Sequence, residues 1–195
     1  MRKIKALVCC ECSQNLTSAL LLYGFDAYSC DIQPCFGPFP ERHFIGDALS
    51  FLYSDSWDLV VAHPPCTYLS KLNGPLIKRD PGRILKGFEA ASFFYEFYNY
   101  PGRILIENPT PLKIFNLPQA SQVIDYANFG SPFHKRTLFW LKDLPPIIPI
   151  YSDSLGVSDF QSYKFGSNRQ YKRSLLPSGL CERIASTFFD FFLTL

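Results

Sequence analysis

Four short apolar runs, separated by segments of helical periodicity, restrict the folds open to this chain more than any other feature. The runs cover residues 5–10, 26–30, 57–62 and 103–107. Each is nearly continuous in apolar residues, which is typical of strands buried on both faces of a parallel sheet. Because helix-like segments lie between the runs, the pattern predicts an α/β fold with helices on both sides of the sheet.

The helix-like segments have recognisable ends. Ser13 is expected to cap the first helix and Gly24 to end it, and a second helix begins near Asp47. Two further helices are expected at 87–100 and 179–192.

The second half of the chain has a different pattern. Residues 122–128 and 137–141 alternate apolar and polar side chains, as half-buried antiparallel strands do. We therefore expect a mostly parallel sheet that ends in an antiparallel hairpin. Residues 145–173 show little periodicity, and we interpret them as a small irregular insertion within a single domain of residues 1–195.

Length and composition exclude several classes of protein. With 195 residues, of which 47% are hydrophobic and 18% charged, the chain can bury one core and is not a disordered tail. No apolar stretch reaches the roughly 18 residues needed to cross a bilayer, so no membrane association is expected. The net charge of +2 is too small to indicate a nucleic-acid partner by itself.

The seven cysteines indicate a reducing compartment, because their number is odd and two of them are adjacent. We expect an intracellular protein, in the cytoplasm, or in the nucleus or virus factory if the source is a eukaryotic virus. Cys9, Cys10 and Cys12 suggest a metal site at first sight. Adjacent strand residues point to opposite faces, so no metal is predicted.

Polar residues directly after each apolar run are the first candidates for a functional site, because ligands of parallel sheets bind at the carboxyl ends of the strands. These residues are Glu11, Asp31, Asp47, the turn at 63–66, and Glu107 with Asn108. We expect them to share one edge of the sheet.

Cys66 ends the turn His-Pro-Pro-Cys after the third run. Two prolines stiffen this turn and present the thiol beyond a strand end, where a lowered pKa or a nearby base would make it a nucleophile. A buried cysteine in a proline-rich turn is the alternative interpretation, because free cysteine is among the most buried residue types.

Glu107 follows the fourth run and precedes Asn108 and Pro109. A carboxyl group at such a place is costly to bury without a partner. If buried near a polar ring, it is expected to hold its proton more tightly and to donate a hydrogen bond. The alternative is a glutamate that forms a salt bridge across a loop.

Taken together, the Pro-Pro-Cys turn and the later Glu-Asn-Pro motif resemble the catalytic motifs of the DNA cytosine-5 methyltransferases. The shorter phage- or virus-type members of that family are the most similar. Other segments resemble further motifs of the family and occur in the same order along the chain. They lie at 8–13, 29–31, 46–49, 129–139 and 176–180. The resemblance covers about residues 6–189 and implies a Rossmann-like, S-adenosylmethionine-dependent methyltransferase fold.

The resemblance also implies roles for individual residues. Cys66 would add to carbon 6 of a flipped-out cytosine, Glu107 would contact N3 and the amino group, and Lys135 or Arg136 would help to hold Glu107. The residues implied in binding S-adenosylmethionine are Glu11, Ser13, Asp31, Ile32, Asp47, Ala48 and Pro64.

Basic residues concentrate after the Pro-Pro-Cys turn and in the late insertion, which suits contacts to DNA phosphates. The candidates are Lys71, Arg79, Arg83, Arg136, Arg169, Lys172 and Arg173. Solvated loops are the alternative interpretation of both clusters.

Two departures from the family pattern leave other functions open. Gln14 and Asn15 stand where a glycine-rich cofactor turn is usual, and 145–173 is much shorter than a target-recognition domain. Target recognition by a helper chain or a dimer partner therefore stays open. So does a catalytically inactive methyltransferase-like protein that binds nucleic acid or a partner, and so does an enzyme acting on RNA or a free nucleotide.

Overall fold

A computed structural model of the chain describes residues 2–150, 158–159 and 175–195. The strands in this part are β1 (Lys5–Cys9), β2 (Asp26–Asp31), β3 (His43–Ile45), β4 (Leu59–Ala62), β5 (Ile104–Asn108), β6 (Gln122–Asp125), β7 (Phe133–His134), β8 (Arg136–Lys142) and β9 (Ser158–Asp159). The α-helices are α1 (Asn15–Leu22), α2 (Ala48–Leu52), α3 (Gly74–Arg79), α4 (Arg83–Tyr98) and α5 (Ser178–Phe192). Short 3₁₀ helices occupy Pro40–Arg42, Lys71–Asn73, Lys113–Phe115 and Tyr126–Phe129.

Seven strands form one mixed sheet in the order β3-β2-β1-β4-β5-β8-β6. Neighbouring strands from β3 to β5 are parallel, and β8 runs antiparallel to both β5 and β6. The predicted α/β class and mostly parallel sheet are confirmed, and this arrangement is compatible with a Rossmann-like fold. Strands β7 and β9 form a separate parallel pair.

Side chains on the two faces of each apolar strand pack into two different hydrophobic cores. In β1, Ala6 and Val8 face the core closed by α1 and α5, while Leu7 and Cys9 face the core that contains α2 and α4. All four side chains are fully buried. Strands with no polar face need cover on both sides, which is why the run is continuous in apolar residues.

Strand β3, helix α3 and the two-residue strands β7 and β9 escaped prediction because they are short. Strand β3 has three residues, and the helix α3 begins with Gly74 and Pro75. Neither segment is long enough to show a period. Of the predicted insertion at 145–173, the structure describes only 145–150 and 158–159, in which Ile147 is fully buried in the α1–α5 core.

The strand order reverses between β1 and β4, so the carboxyl ends of these two strands flank the crevice where such sheets bind ligands. The turn at 63–66 follows β4, and Glu107 lies near the end of the neighbouring strand β5. Across the described ranges, the structure contains no helix long and apolar enough to span a bilayer.

Candidate active site

The turn that carries Cys66 is tied to the segment that follows β5. The Asn108 side chain donates from Nδ2 to the Pro64 carbonyl oxygen at 2.6 Å. The Leu112 amide donates to the Leu69 carbonyl oxygen at 2.8 Å. The Cys66 carbonyl oxygen accepts from the amides of Leu69 and Ser70, which closes the turn. The sequence-predicted Cys66 is therefore part-exposed and fixed beside β5.

Glu107 is buried, with 9% of its surface exposed, and both carboxyl oxygens have protein partners. Nδ1 of His63 lies 3.4 Å from Oε2, and the Thr137 hydroxyl donates to Oε1. Burial acts to raise the pKa of Glu107, but the hydrogen bonds from His63 and Thr137 and the charge of Lys135 outweigh it and lower that pKa. The expectation that Glu107 holds its proton more tightly is therefore wrong for the protein alone, because its polar neighbours stabilise the carboxylate.

Lys135 and a tyrosine that the sequence did not single out complete this side of the site. The Lys135 ammonium lies 4.4 Å above the Tyr126 ring and 3.1 Å from its hydroxyl. Burial raises the pKa of Tyr126 well above its ordinary value, and the nearby Glu107, Cys181 and Cys66 raise it further. The structure thus brings Cys66, Glu107 and Lys135 around one buried ring.

Among the described residues, two buried polar side-chain atoms have no hydrogen-bond partner, and both border the Pro64–Cys66 turn. They are Nε2 of His63 and Oδ1 of Asn108. An unpartnered buried polar atom costs about 1–3 kcal/mol of folding stability. Both atoms belong to residues that flank the proposed site, which makes them candidates for contact with a bound ligand.

Asp31 and Asp47, the acids predicted to hold the cofactor's adenosine part, lie near one another at the carboxyl ends of β2 and β3. Both act on Cys10, whose pKa is raised well above its ordinary value by burial, by Cys30, and by these two carboxylates. Ile32, beside Asp31, is 73% exposed. Two acids and an exposed apolar side chain suit the ribose, amino and ring portions of an adenosine.

Several of the predicted cofactor residues also have structural roles. Asp47 is the N-cap of α2 and accepts from the Leu49 amide at 3.1 Å. Glu11 is buried, and its carboxylate accepts hydrogen bonds from the Leu16 amide at 2.7 Å and from the Thr17 hydroxyl at 2.6 Å. It therefore caps α1 from a position before the helix. The Ser13 hydroxyl donates to Oε1 of Glu11 at 3.4 Å and accepts from the amide of Asn15, the first residue of α1, at 3.3 Å, although the N-cap position is held by Gln14. Ala48 and Pro64 are buried.

Gln14 occupies the turn between β1 and α1. Its φ of 58° lies in the left-handed region. Its side chain is fully buried and pairs with the Phe39 backbone, donating to the carbonyl at 2.8 Å and accepting from the amide at 2.9 Å. A Cβ on Gly37 would lie 2.4 Å from Cβ of Gln14. The 33–39 loop is thus packed directly against this turn.

The predicted phosphate-binding residues divide into three groups. Lys71 and Arg79 are exposed, as is Arg136, whose side chain is 80% exposed. Arg83 is part-buried and stacks on Tyr68, two residues after Cys66, at 4.7 Å. The remaining candidates, Arg169, Lys172 and Arg173, lie outside the described residues.

A cleft of about 380 Å³ opens at the other end of β5 and contains none of the predicted site residues. Trp140 and Ile104 line it, together with Lys142, whose ammonium already donates to the Tyr100 carbonyl oxygen. No group of three or more potential metal ligands occurs in the part of the chain that the structure describes.

Comparison with known proteins finds no protein-family model and no curated protein that matches this chain.

Proposed function

We propose that this protein is a methyltransferase that modifies carbon 5 of cytosine in DNA through a covalent adduct on Cys66. The observation that carries the proposal is the joining of two motifs 44 residues apart in sequence. The Asn108–Pro64 hydrogen bond and the His63–Glu107 contact hold a cysteine turn and a buried carboxyl at the ends of adjacent strands.

A pyrimidine held between these groups would meet a nucleophile and a proton donor or acceptor. The Cys66 thiolate would bond to carbon 6, and the electrons of the double bond between carbons 5 and 6 would move toward N3, to which Glu107 in its protonated form would give its proton. After methylation, loss of the proton on carbon 5 would restore the double bond and release the sulfur. A stacked base cannot be reached in this way, so the base would have to leave the helix.

S-adenosylmethionine would supply the methyl group. Asp31 and Asp47 would hold its adenosine part, with Ile32 against the adenine. Lys71, Arg79 and Arg136 would contact phosphates, so binding to DNA should weaken steeply as salt increases.

The test is incubation with labelled S-adenosylmethionine and DNA, RNA or cytidine nucleotides, followed by nucleoside mass spectrometry. We expect 5-methylcytosine from DNA, none with Cys66→Ser, and wild-type yield with the matched control Cys35→Ser. DNA containing 5-fluorocytosine should trap the wild type covalently. A fully active Cys66→Ser variant would overturn the mechanism, and product from RNA or nucleotides alone would reassign the substrate.

One observation favours a second candidate, a methyltransferase-like protein that binds DNA or a partner without catalysis. The turn after β1 is filled by Gln14, and the Glu11 carboxylate already occupies the amino end of α1. Calorimetry with S-adenosylmethionine separates the two: the enzyme must bind it, and a pure binding protein need not.

A further inference from the structure

His63 links the cysteine turn to the carboxyl of Glu107. It is the first residue after β4, and its amide donates to the Cys9 carbonyl oxygen at 3.0 Å. This backbone bond extends the β1–β4 pairing and fixes where the imidazole begins. The His63 and Glu107 side chains are 13% and 11% exposed, so their 3.4 Å contact is largely shielded from water.

The two imidazole nitrogens are in unequal surroundings. Nδ1 faces the Glu107 carboxylate, while Nε2 is buried with no hydrogen-bond partner among the described residues. A residue kept only for packing would avoid this, since an unpartnered buried nitrogen costs stability. A glutamine could supply the same hydrogen bond to Glu107 without an ionisable ring. The two side chains differ in that only the imidazole can carry a charge beside Glu107.

The groups that face Glu107 come from several elements. Thr137 on β8 donates to it, and Lys135 acts on it from the residue between β7 and β8. Tyr126, in the 3₁₀ helix after β6, lies near it and near Cys66. Of these neighbours, histidine is the residue type that ordinarily changes charge between pH 5 and 8.

We propose that His63 is a positioning residue that holds the Glu107 carboxyl and sets the pH at which it carries the proton offered to the pyrimidine N3. Its consequence for catalysis rests on the proposed function, whereas the relation between the two side chains does not. In the protein alone, His63 keeps Glu107 as a carboxylate. When a pyrimidine binds, the same contact fixes how easily that carboxyl becomes an acid.

The direct test is a carbon-13 NMR titration of the intact protein labelled at glutamate carboxyls, with Glu107→Gln identifying the Glu107 signal. Removing the imidazole removes both a hydrogen bond and a charge that lower the pKa of Glu107. His63→Gln keeps a donor and loses the charge, so its Glu107 midpoint should rise. His63→Ala should raise it more. His43→Gln, at the far edge of the sheet, is the matched control and should leave it unchanged.

The NMR result decides the proposal in both directions. A Glu107 midpoint that is the same in wild type and His63→Gln would overturn it, and this variant suffices if His63→Ala does not fold. The expected order of midpoints would support it even if the wild type methylates no substrate, in which case only the proposed function fails.

Activity supplies the second readout. If Glu107 acts as an acid, the rate falls as pH rises past the pKa of Glu107, so His63→Gln should move this alkaline limb to higher pH. His63→Ala, which also loses the hydrogen bond to Glu107, should lower the maximum rate roughly tenfold, the worth of about one hydrogen bond. An equal loss of rate at every pH would reduce His63 to a structural role and would contradict the proposal.

Discussion

Asn108 donates a hydrogen bond from its side-chain nitrogen to the carbonyl oxygen of Pro64 across 2.6 Å, with 44 residues of chain between them. Proline has no amide hydrogen, so the Pro64–Pro65 backbone cannot pair with a neighbouring strand as donor. The Asn108 side chain, from β5, supplies a hydrogen bond that holds this turn in place. The position of Cys66 therefore depends on a residue of another strand.

Replacing Asn108 with alanine should loosen this turn. The change leaves the Pro64 carbonyl unpaired, and we expect the free energy of unfolding to fall by about 1–2 kcal/mol. Cys66 should also be alkylated faster, as measured for each cysteine by mass spectrometry. Asn99→Ala, at an exposed position after α4, is the matched control. Unchanged Cys66 alkylation in Asn108→Ala would contradict this role.

Glu11 should behave as a structural cap. Glu11→Ala removes the acceptor for the Leu16 amide and the Thr17 hydroxyl, so the free energy of unfolding should fall by about 2 kcal/mol. Urea denaturation followed by circular dichroism measures this, with the exposed Glu41→Ala as control. Asp31→Asn should instead keep stability and weaken S-adenosylmethionine binding. Wild-type stability in Glu11→Ala would show that the cap is dispensable.

Gln14→Gly tests the left-handed turn between β1 and α1. Glycine relieves about 1 kcal/mol of left-handed backbone strain, but the change removes the buried hydrogen bonds to Phe39. We expect a net loss of about 1–2 kcal/mol in the free energy of unfolding and faster chymotrypsin cleavage after Phe36. Asn116→Gly, also left-handed at φ 48°, has no such loss and should be neutral or slightly stabilising. Slower cleavage in Gln14→Gly would be the contrary result.

Glu107 should make the protein sensitive to acid. Because its pKa is lower in the folded than in the unfolded protein, the stability it contributes is present above its ordinary pKa of 4.5. That stability is lost as pH falls through the lowered value. Urea midpoints measured from pH 7 to pH 3 should therefore fall more steeply for the wild type than for Glu107→Gln. Parallel curves for the two proteins would refute this linkage.

Buried thiols should make the stability of the folded protein sensitive to high pH. Burial raises the pKa of Cys9, Cys10 and Cys181 well above the ordinary 9.0. Folding keeps these protons bound, so stability is full below pH 9 and declines as pH rises above it. Cys181→Ala should lower stability at pH 7 but reduce the slope between pH 9 and pH 10.5. Cys35→Ser, at a part-exposed position, should keep the wild-type slope.

The α/β class and most of the sheet could be read from local patterns. The run at 103–107 is mostly apolar because both faces of β5 are covered. A strand buried on both faces has apolar side chains at consecutive positions, and this pattern is visible in the sequence. The sequence also predicted which edge of the sheet carries Asp31, Asp47 and Glu107, because parallel strands place their carboxyl ends at one edge.

Side-chain partners were decided only by the folded chain. Neither spacing nor composition indicates that Glu107 meets His63, that Lys135 meets Tyr126, or that the Glu11 carboxylate turns back onto α1. A hydrophobic period records which side of an element is buried. A hydrogen bond depends on where two separate elements bring their atoms to within about 3 Å, and packing of the whole sheet sets that distance.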